Sequence, residues 1–413
     1  MTHRRRRLAA KTRTLCTILT TSGVLAGAAL AGAAPAGAAS DAGRIASGVA
    51  YRQFDLPAAR GTVHVHLLTV DLTDPHVHMD LLSPGAVAAR SPVSTMADAA
   101  GAVAGVNGDF FNITETQHPG VEVTGASVGP AIAHGRVLKA AVPTAQRFGP
   151  SLPPGTDTTD VFGVGVDRRA RLDRLTLVGT VRTPDATLAL RGLNQYALAQ
   201  GAVGAYTAAW GSASRKRATC GSDTSRAAGC STDTYEVQIR ASRVVATSAT
   251  PGSGAIPTGT TVLLGREAGA DRLRTLTKGE RVTVREHMVA SAARIPYRFA
   301  VGGYPVLRGG EPLAGLNGTT AAVRTAVGYA SGGRRLLLFA LDGAVAYRSG
   351  LTIAEVAAEM RQLGAVDAFS LDGGGSTTMV ARTAGAKTVS VLNHPTESPE
   401  RAVANGIGVF WKP

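Results

Sequence analysis

Residues 365–380 contain the residues best suited to chemistry, in the order AVDAFSLDGGGSTTMV. A short apolar run ends at an acid, and three glycines and three hydroxyl side chains follow it. A glycine run costs conformational entropy, and it suits a backbone that must turn with positive φ or approach another group closely. The N–H groups of such a turn can form an anion-binding nest. An acid beside an anion site is typical of functional sites, whereas the alternative is a glycine-rich hairpin or bulge.

A second polar turn lies at residues 105–112, with the sequence GVNGDFFN. Asn107, Asp109 and Asn112 fall near one end of a predicted short strand. One interpretation is a polar pocket floor that carries an acid. The other is an Asn-Gly hairpin turn whose two phenylalanines belong to the core.

A strand–helix–strand unit positions the first stretch. Residues 336–341 form an apolar strand that ends at Asp342, and residues 351–363 form an amphipathic helix. Thr352 and Glu355 have the spacing of a capping box at the start of this helix. The second strand ends at Asp372. Because ligands bind beyond the carboxyl ends of strands in open α/β layers, both acids are candidate site residues.

The remaining patterns are mostly those of strands. Residues 60–82 alternate as two strands joined by a turn at 73–75, and residues 94–104 have helix signals. His64 and His66 share one strand face, as do His76 and His78; such pairs bind metal or simply lie on an exposed sheet face. We predict an α+β fold: a mixed β-sheet with flanking helices from residues 39–149 and 291–413, plus an inserted strand-rich module at 150–290.

The first 38 residues resemble a signal peptide, because a basic start precedes a weakly apolar stretch and a small-residue cleavage site. We therefore expect a secreted, extracellular chain that begins near Ala39. The pattern does not distinguish the general secretory route from the twin-arginine route. No stretch has the length and character of a membrane span. Cleavage lowers the net charge from +14 to about +8. The basic residues are scattered, which argues against nucleic-acid binding and suits an anionic glycan.

Two cysteines remain after the predicted cleavage, Cys220 and Cys230. In an oxidising compartment we expect them to form a disulfide. Zinc would need further ligands at near spacing, and the sequence offers none there.

Several blocks, taken together and in order, resemble the phosphodiester glycosidase family. They lie within residues 60–112 and 297–410 and comprise GVNGDFFN, RTAVG, LLLFALDG, TIAEVAAEMRQLGA, LDGGGSTTMV and ERAVANGIG. The best-known member of this family removes N-acetylglucosamine from a mannose-6-phosphate diester. The resemblance implies a secreted or surface hydrolase that splits a sugar phosphodiester on the sugar side, but not which sugar or aglycone it uses. The strand-rich middle lies outside these blocks.

Under this resemblance the expected catalytic carboxylates are Asp109 and Asp372, with Asp342 close by. The expected ligands of phosphate and sugar hydroxyls are Asn107, Asn112, Arg324, Gly373, Gly374, Gly375, Ser376, Thr377 and Arg401. The sequence identifies no cofactor with certainty; a divalent cation such as calcium could bind near the acids, although no acid-rich loop of the usual spacing is present. The alternatives are a glycosidase acting on a non-phosphorylated polysaccharide and a non-catalytic protein that binds anionic glycans. The oligomeric state and the stereochemical outcome stay open.

Overall fold

A computed structural model describes residues 43–413, and the predicted signal segment lies outside the described residues. The described chain has three α-helices: α1 Val93–Ala100, α2 Ala268–Arg274 and α3 Ile353–Gln362. Short 3₁₀ helices occur at Thr144–Gln146, Ala208–Trp210, Lys216–Thr219, Val345–Tyr347 and Gly374–Ser376. The strands are β1 Gly43–Ala46, β2 Val49–Ala58, β3 Gly61–Asp71, β4 Val77–Leu82, β5 Ala104–Asn107, β6 Ala131–Ala133, β7 Arg136–Lys139, β8 Asp160–Gly165, β9 Ala170–Arg182, β10 Thr187–Ala189, β11 Gly192–Leu193, β12 Val203–Tyr206, β13 Thr234–Arg240, β14 Arg243–Ser248, β15 Thr260–Arg266, β16 Thr283–Ala290, β17 Tyr297–Gly302, β18 Tyr304–Arg308, β19 Glu311–Pro312, β20 Thr325–Tyr329, β21 Arg335–Leu341, β22 Asp367–Ser370, β23 Met379–Ala381, β24 Ser390–Val391 and β25 Gly406–Trp411.

These strands form four sheets. Sheet 1 has the order β1-β2-β3-β21-β20-β22-β18-β19, and sheet 2 has the order β10-β9-β8-β17-β6-β7, with β16 paired to β9. Sheet 3 is β11-β12-β15-β13-β14, and sheet 4 is β24-β23-β5-β25-β4. The pairings are antiparallel apart from β11 with β12. The fold is therefore mostly β, with less helix than the α+β class predicted from the sequence. The predicted helix at 94–104, for example, stops at Ala100 because Gly101 takes a left-handed conformation.

The predicted strand–helix–strand unit is confirmed as β21, α3 and β22. Thr352 and Glu355 form the capping box at the start of α3, and its buried face includes Val356 and Met360. β20 lies between β21 and β22 and pairs antiparallel with both. The two outer strands therefore run in the same direction and end at the same edge of sheet 1.

The strand-rich middle of the chain shares main-chain hydrogen bonds with the segments on either side of it. Residues 150–290 form the whole of sheet 3 and supply β8, β9, β10 and β16 to sheet 2. In sheet 2, β8 pairs with β17, which in turn pairs with β6. The middle and flanking segments therefore build one continuous sheet.

The two strands predicted within residues 60–82 form, but they do not form a hairpin. β3 lies in sheet 1 between β2 and β21, whereas β4 is the edge strand of sheet 4 and pairs with β25. The turn between them carries the chain from one sheet to another. None of the helices in residues 43–413 is long and apolar enough to cross a membrane.

Candidate active site

The turns that carry Asp109 and Asp372 are bonded directly to each other. The N–H of Asp372 donates to the carbonyl of Gly108 at 2.9 Å, and its carbonyl accepts from Asn107 Nδ2 at 2.6 Å. Asn107 Oδ1 in turn accepts from Thr325 Oγ1 at 2.8 Å. Asn107 is fully buried. It therefore braces the two turns, and these bonds leave it facing protein rather than a sugar.

The carboxylate of Asp109 is held in a tight, closed environment. Its Oδ2 accepts from the N–H of Gly129 at 2.6 Å, and its own N–H donates to Asn405 Oδ1 at 2.9 Å. A methyl group added at Gly302 would lie 2.5 Å from Asp109 Oδ2, so only glycine fits there. Oδ1 is buried and finds no hydrogen-bond partner among residues 43–413. One oxygen of Asp109 is thus fixed and the other is uncommitted.

Lys139 is a buried cation beside Asp109 that the sequence analysis missed. Its side chain is 1% exposed, and Nζ donates to the carbonyls of Gly129, Ala140 (2.6 Å) and Val128 (3.3 Å). Burial lowers the pKa of Lys139, and the nearby Asp109 opposes that shift. Burial likewise raises the pKa of Asp109, and Lys139 opposes it. The sequence signal was a lone lysine within the apolar run VLKAAV.

Asp372 is the second buried acid of the pair. The net pKa of Asp372 is raised to about 7. Burial is the largest cause and the negative charge of Asp109 adds to it, whereas Ser376, the N–H of Gly373 and Arg401 lower the pKa in part. Oδ1 accepts from the N–H of Gly373 at 3.0 Å. Oδ2, like Oδ1 of Asp109, is buried without a hydrogen-bond partner in the described chain. Neighbouring carboxyl groups whose surroundings raise their pKa values are suited to acid–base work near neutral pH.

The glycine turn itself is more closed than the sequence suggested. The N–H of Gly374 donates to the Val323 carbonyl at 2.8 Å, and those of Ser376 and Thr377 donate back to Gly373 and Gly374. The N–H of Gly373 donates to the carboxylate of Asp372. Four N–H groups of the turn therefore form hydrogen bonds within the protein. The run folds into a 3₁₀ turn in which most N–H groups of residues 373–377 bond within the protein. The positive charge beside the turn comes from Arg324, which has no carboxylate partner in residues 43–413, and from Arg401, which is paired with Glu397.

Arg401 packs directly on the turn. Its Nη1 donates to Ser376 Oγ at 3.3 Å, and its Nε donates to Glu397 Oε2 at 3.0 Å. A methyl group added at Gly375 would lie 2.4 Å from Arg401 Nη2. The glycine at this position therefore permits the guanidinium to approach the Asp372 turn.

Arg324 borders a cavity on the other side of the turn. Its Nε donates to the Leu351 carbonyl at 2.9 Å and its Nη2 to the Thr320 carbonyl at 2.7 Å. No carboxylate in residues 43–413 forms an ion pair with it. The cavity holds about 360 Å³ and is also lined by Tyr304 and by residues 150–153.

Tyr304 links this cavity to the acids. Its ring stacks on Phe110 with the centroids 5.7 Å apart, and its hydroxyl is within electrostatic range of Arg324, Arg147 and Asp372. Arg147, which the sequence analysis also missed, lies over Phe110 at 5.6 Å and interacts with Asp109. Tyr304 therefore connects the cavity, which it lines together with Arg324, to the region of the acid pair, although neither acid lines the cavity itself.

Asp342 and Asn112 lie in other clusters. Leu341 packs in the same core as Phe110 and Tyr304, so the strand pleat turns Asp342 to the opposite face of sheet 1. There its Oδ2 contacts His66 Nε2 at 3.2 Å and His394 Nδ1 at 2.8 Å. Burial alone raises the pKa of Asp342, but hydrogen bonds from His394, Ala344 and His66 leave it below its ordinary value. The structure thus joins Asp109, Asp372, Arg324 and Arg401, and it separates Asp342 from them.

Asn112 belongs to a buried polar cluster near the disulfide. It donates to Glu115 Oε2 at 2.8 Å, and Glu115 pairs with Arg217 at 2.8 Å and His118 at 2.6 Å. The predicted disulfide between Cys220 and Cys230 is present. His118 and these two sulfurs are the one set of three metal donors within 4.8 Å of each other in the described residues. The sulfurs are bonded to each other, so this set does not offer two thiolate ligands.

Comparison with known proteins agrees with this architecture. Residues 233–410 match the model of the phosphodiester glycosidase family, which confirms the resemblance seen in the sequence. The match includes Arg324, Asp372 and Arg401, begins inside the strand-rich middle, and does not include Asp109 or Lys139. Among curated proteins, none matches this chain.

Two solved structures share the fold. A hypothetical protein from Synechocystis is 20% identical with a TM-score of 0.67, over 89% of this chain and 62% of that one. A Burkholderia pseudomallei K96243 protein described as exported is 24% identical with a TM-score of 0.63, over 84% and 74%. The pro-peptide-inhibited catalytic domain of zebrafish N-acetylglucosamine-1-phosphodiester alpha-N-acetylglucosaminidase is 16% identical with a TM-score of 0.44, over 90% and 87%. This chain therefore spans under two thirds of the Synechocystis protein.

Proposed function

We propose that this protein is a secreted hydrolase that cleaves the glycosidic bond of a sugar phosphodiester in cell-wall or extracellular glycans. The observation that carries the proposal is the buried pair Asp109 and Asp372, each with one uncommitted oxygen, beside arginines. The family match over 233–410 supports the reaction class. The disulfide suits an oxidising compartment, as does the leader pattern of residues 1–38.

The arginines favour a phosphodiester over a neutral glycoside. Arg324 is partly buried and bonds only backbone carbonyls, so its charge has no carboxylate partner in residues 43–413. A guanidinium is planar and grips two phosphate oxygens at once. A phosphate leaving group also needs little protonation, because its conjugate acid is strong. Charge stabilisation by arginine then replaces the general acid of ordinary glycosidases.

The two acids take different roles in this mechanism. Asp372, with its pKa raised to about 7, accepts the proton of the attacking water, because a general base works best when its pKa is near the working pH. Asp109, beside Lys139, remains ionised and stabilises positive charge at the anomeric carbon. Water oxygen bonds that carbon as its bond to the phosphate oxygen breaks. The products are the free sugar and a phosphate monoester, and Asp372 releases its proton to solvent.

An isotope experiment tests this reaction. The chain from residue 39 onward is incubated in ¹⁸O water with methyl phosphodiesters of several hexose and N-acetylhexosamine 1-phosphates. We expect ¹⁸O in the sugar and methyl phosphate as the other product. Asp372→Asn should lower turnover by about 10²–10⁴-fold, while Asp185→Asn, at an exposed loop position, should match the wild type.

Three results contradict the proposal. Release of sugar 1-phosphate with ¹⁸O on phosphorus would show phosphodiesterase chemistry. Activity on neutral wall polysaccharide alone would identify an ordinary glycosidase. Binding of an anionic glycan with no turnover of any diester would identify a non-catalytic binding protein.

A further inference from the structure

A second polar cluster lies on the face of sheet 1 opposite to the acid pair. We call it the Asp342 cluster; its members are Tyr51, His66, Asp342 and His394. Asp342 and His66 are each 2% exposed. His66 Nε2 and His394 Nδ1 both contact the same oxygen, Asp342 Oδ2, at 3.2 and 2.8 Å. Two imidazole nitrogens thus converge on one buried carboxylate oxygen.

This carboxylate has no ordinary positive partner. Its ion-pair contacts within residues 43–413 are the two histidines, and no lysine or arginine is among them. A buried carboxylate is costly unless it is paired or coordinates a metal ion. The proposed reaction does not use Asp342, because the residue faces away from Asp109 and Asp372. Within residues 43–413 the carboxylate is therefore held by hydrogen bonds alone, without a lysine or arginine partner.

Further contacts hold two of the donors in place. Tyr51 Oη contacts His66 Nδ1 at 2.7 Å, which leaves Nε2 as the outward nitrogen of the ring. The N–H of Ala344 donates to Asp342 Oδ1 at 2.7 Å, which leaves Oδ2 facing the imidazoles. Metal-ligating histidines and carboxylates are typically oriented by outer hydrogen bonds of this kind.

We propose that His66 Nε2, Asp342 Oδ2 and His394 Nδ1 bind a divalent transition-metal ion of the zinc class. Imidazole and carboxylate donors suit such an ion, whereas calcium takes oxygen ligands. The three donor atoms do not all lie within 4.8 Å of one another in the structure. The His394 side chain is 78% exposed, so it can rotate to close the set. His64, at 5.1 Å between ring centroids from His66, is engaged with Asp55 and stays outside the set.

The ion would join three separate parts of the chain. His66 lies on β3, Asp342 follows β21, and His394 begins the segment that leads to Arg401. The carbonyl of His394 already accepts from the N–H of Gly343 at 2.6 Å. A metal ion here would therefore fasten the arginine-bearing segment to sheet 1. This inference does not depend on the proposed reaction.

Isothermal titration with zinc chloride tests the site. The protein is the tag-free chain from residue 39 onward, stripped with EDTA and dialysed. We expect one ion bound per chain and an affinity that falls about 10–100-fold in His394→Ala. Because the His394 side chain is exposed, this variant should remain folded, and its metal-free melting temperature is measured beside that of the wild type. His287→Ala, on the exposed strand β16, is the matched control and should bind as the wild type does. Asp342→Asn should also lose binding, and excess calcium chloride should not compete.

The proposal fails if the stripped wild-type chain binds no zinc below about 100 μM. It also fails if His394→Ala binds as tightly as the wild type, or if His287→Ala loses the ion. Equal competition by calcium would place the ion on oxygen ligands elsewhere and would overturn it as well. None of these readouts requires a substrate, so the outcome is separate from that of the activity assay.

Discussion

Replacing Asp372 by asparagine should stabilise the folded protein at alkaline pH while it removes activity. The carboxyl is 8% exposed, and burial raises its pKa from an ordinary 3.8 to about 7. A group whose pKa is raised in the folded state binds its proton more tightly there than in the unfolded chain. Between these two pKa values the unfolded chain has lost the proton and the folded chain has kept it. Stability therefore falls as the pH rises through this window.

The size of the effect follows from the shift. The pKa shift of about three units, at about 1.36 kcal/mol per unit, lowers the free energy of unfolding by roughly 4 kcal/mol. This loss is complete above pH 7. Asparagine has no such titration and can still accept the N–H of Gly373. The free energy of unfolding of Asp372→Asn, minus that of the wild type, should hence be near zero at pH 4 and about 2–4 kcal/mol at pH 8.

Urea denaturation at several pH values measures this difference. The control is Asp185→Asn, at an exposed position, whose difference from the wild type should not vary with pH. If the difference for Asp372→Asn is the same at pH 4 and pH 8, Asp372 is ionised throughout. It then has no raised pKa, and its assignment as a general base near neutral pH is refuted.

Three further changes probe other parts of the structure. Arg324→Lys should lower kcat/KM at least about tenfold more on a sugar phosphodiester than on a neutral aryl glycoside, because lysine lacks the planar fork that grips two phosphate oxygens; equal losses would remove Arg324 from the phosphate site. Lys139→Met should cost about 3–5 kcal/mol in urea denaturation, because it leaves the buried Asp109 without its cation, whereas Lys387→Met, at an exposed position, should cost almost nothing. Cys220→Ser should cost roughly 2–3 kcal/mol, and alkylation without reductant should label neither Cys220 nor Cys230 in the wild type; two labelled cysteines would contradict the disulfide.

Local patterns were enough to predict individual elements. The capping box of Thr352 and Glu355 and the apolar face behind it predicted α3, and the apolar runs on either side predicted β21 and β22. Sheet membership was not predictable in this way. β3 and β4 alternate alike and are joined by a short turn, yet they enter different sheets. Their partners, β21 and β25, lie far along the chain, and no local signal specifies such a choice.

The site was predictable to the extent that acids and arginines cluster around glycine turns. Asp109 and Asp372 meet as expected, because Asn107 and Gly108 bond the second turn directly. Asp342 was wrongly predicted to lie close to the acid pair. The direction of its strand was predicted correctly, but the face of the sheet to which the side chain points was not predictable. The glycine turn is more closed than the sequence suggested, because the N–H groups of residues 373, 374, 376 and 377 bond within the protein.

The position of β25 has a consequence for how the protein is made. This last described strand lies inside sheet 4, between β5 and β4, which precede it by about 300 residues. During synthesis β4 and β5 emerge well before β25, so sheet 4 stays incomplete until residues 406–411 have been made. The side-chain oxygen Oδ1 of Asn405, the residue before β25, accepts a hydrogen bond from the N–H of Asp109. Full assembly of the acid pair therefore waits until residue 405 has been made, and a nascent chain released before that point carries every predicted carboxylate but lacks this hydrogen bond.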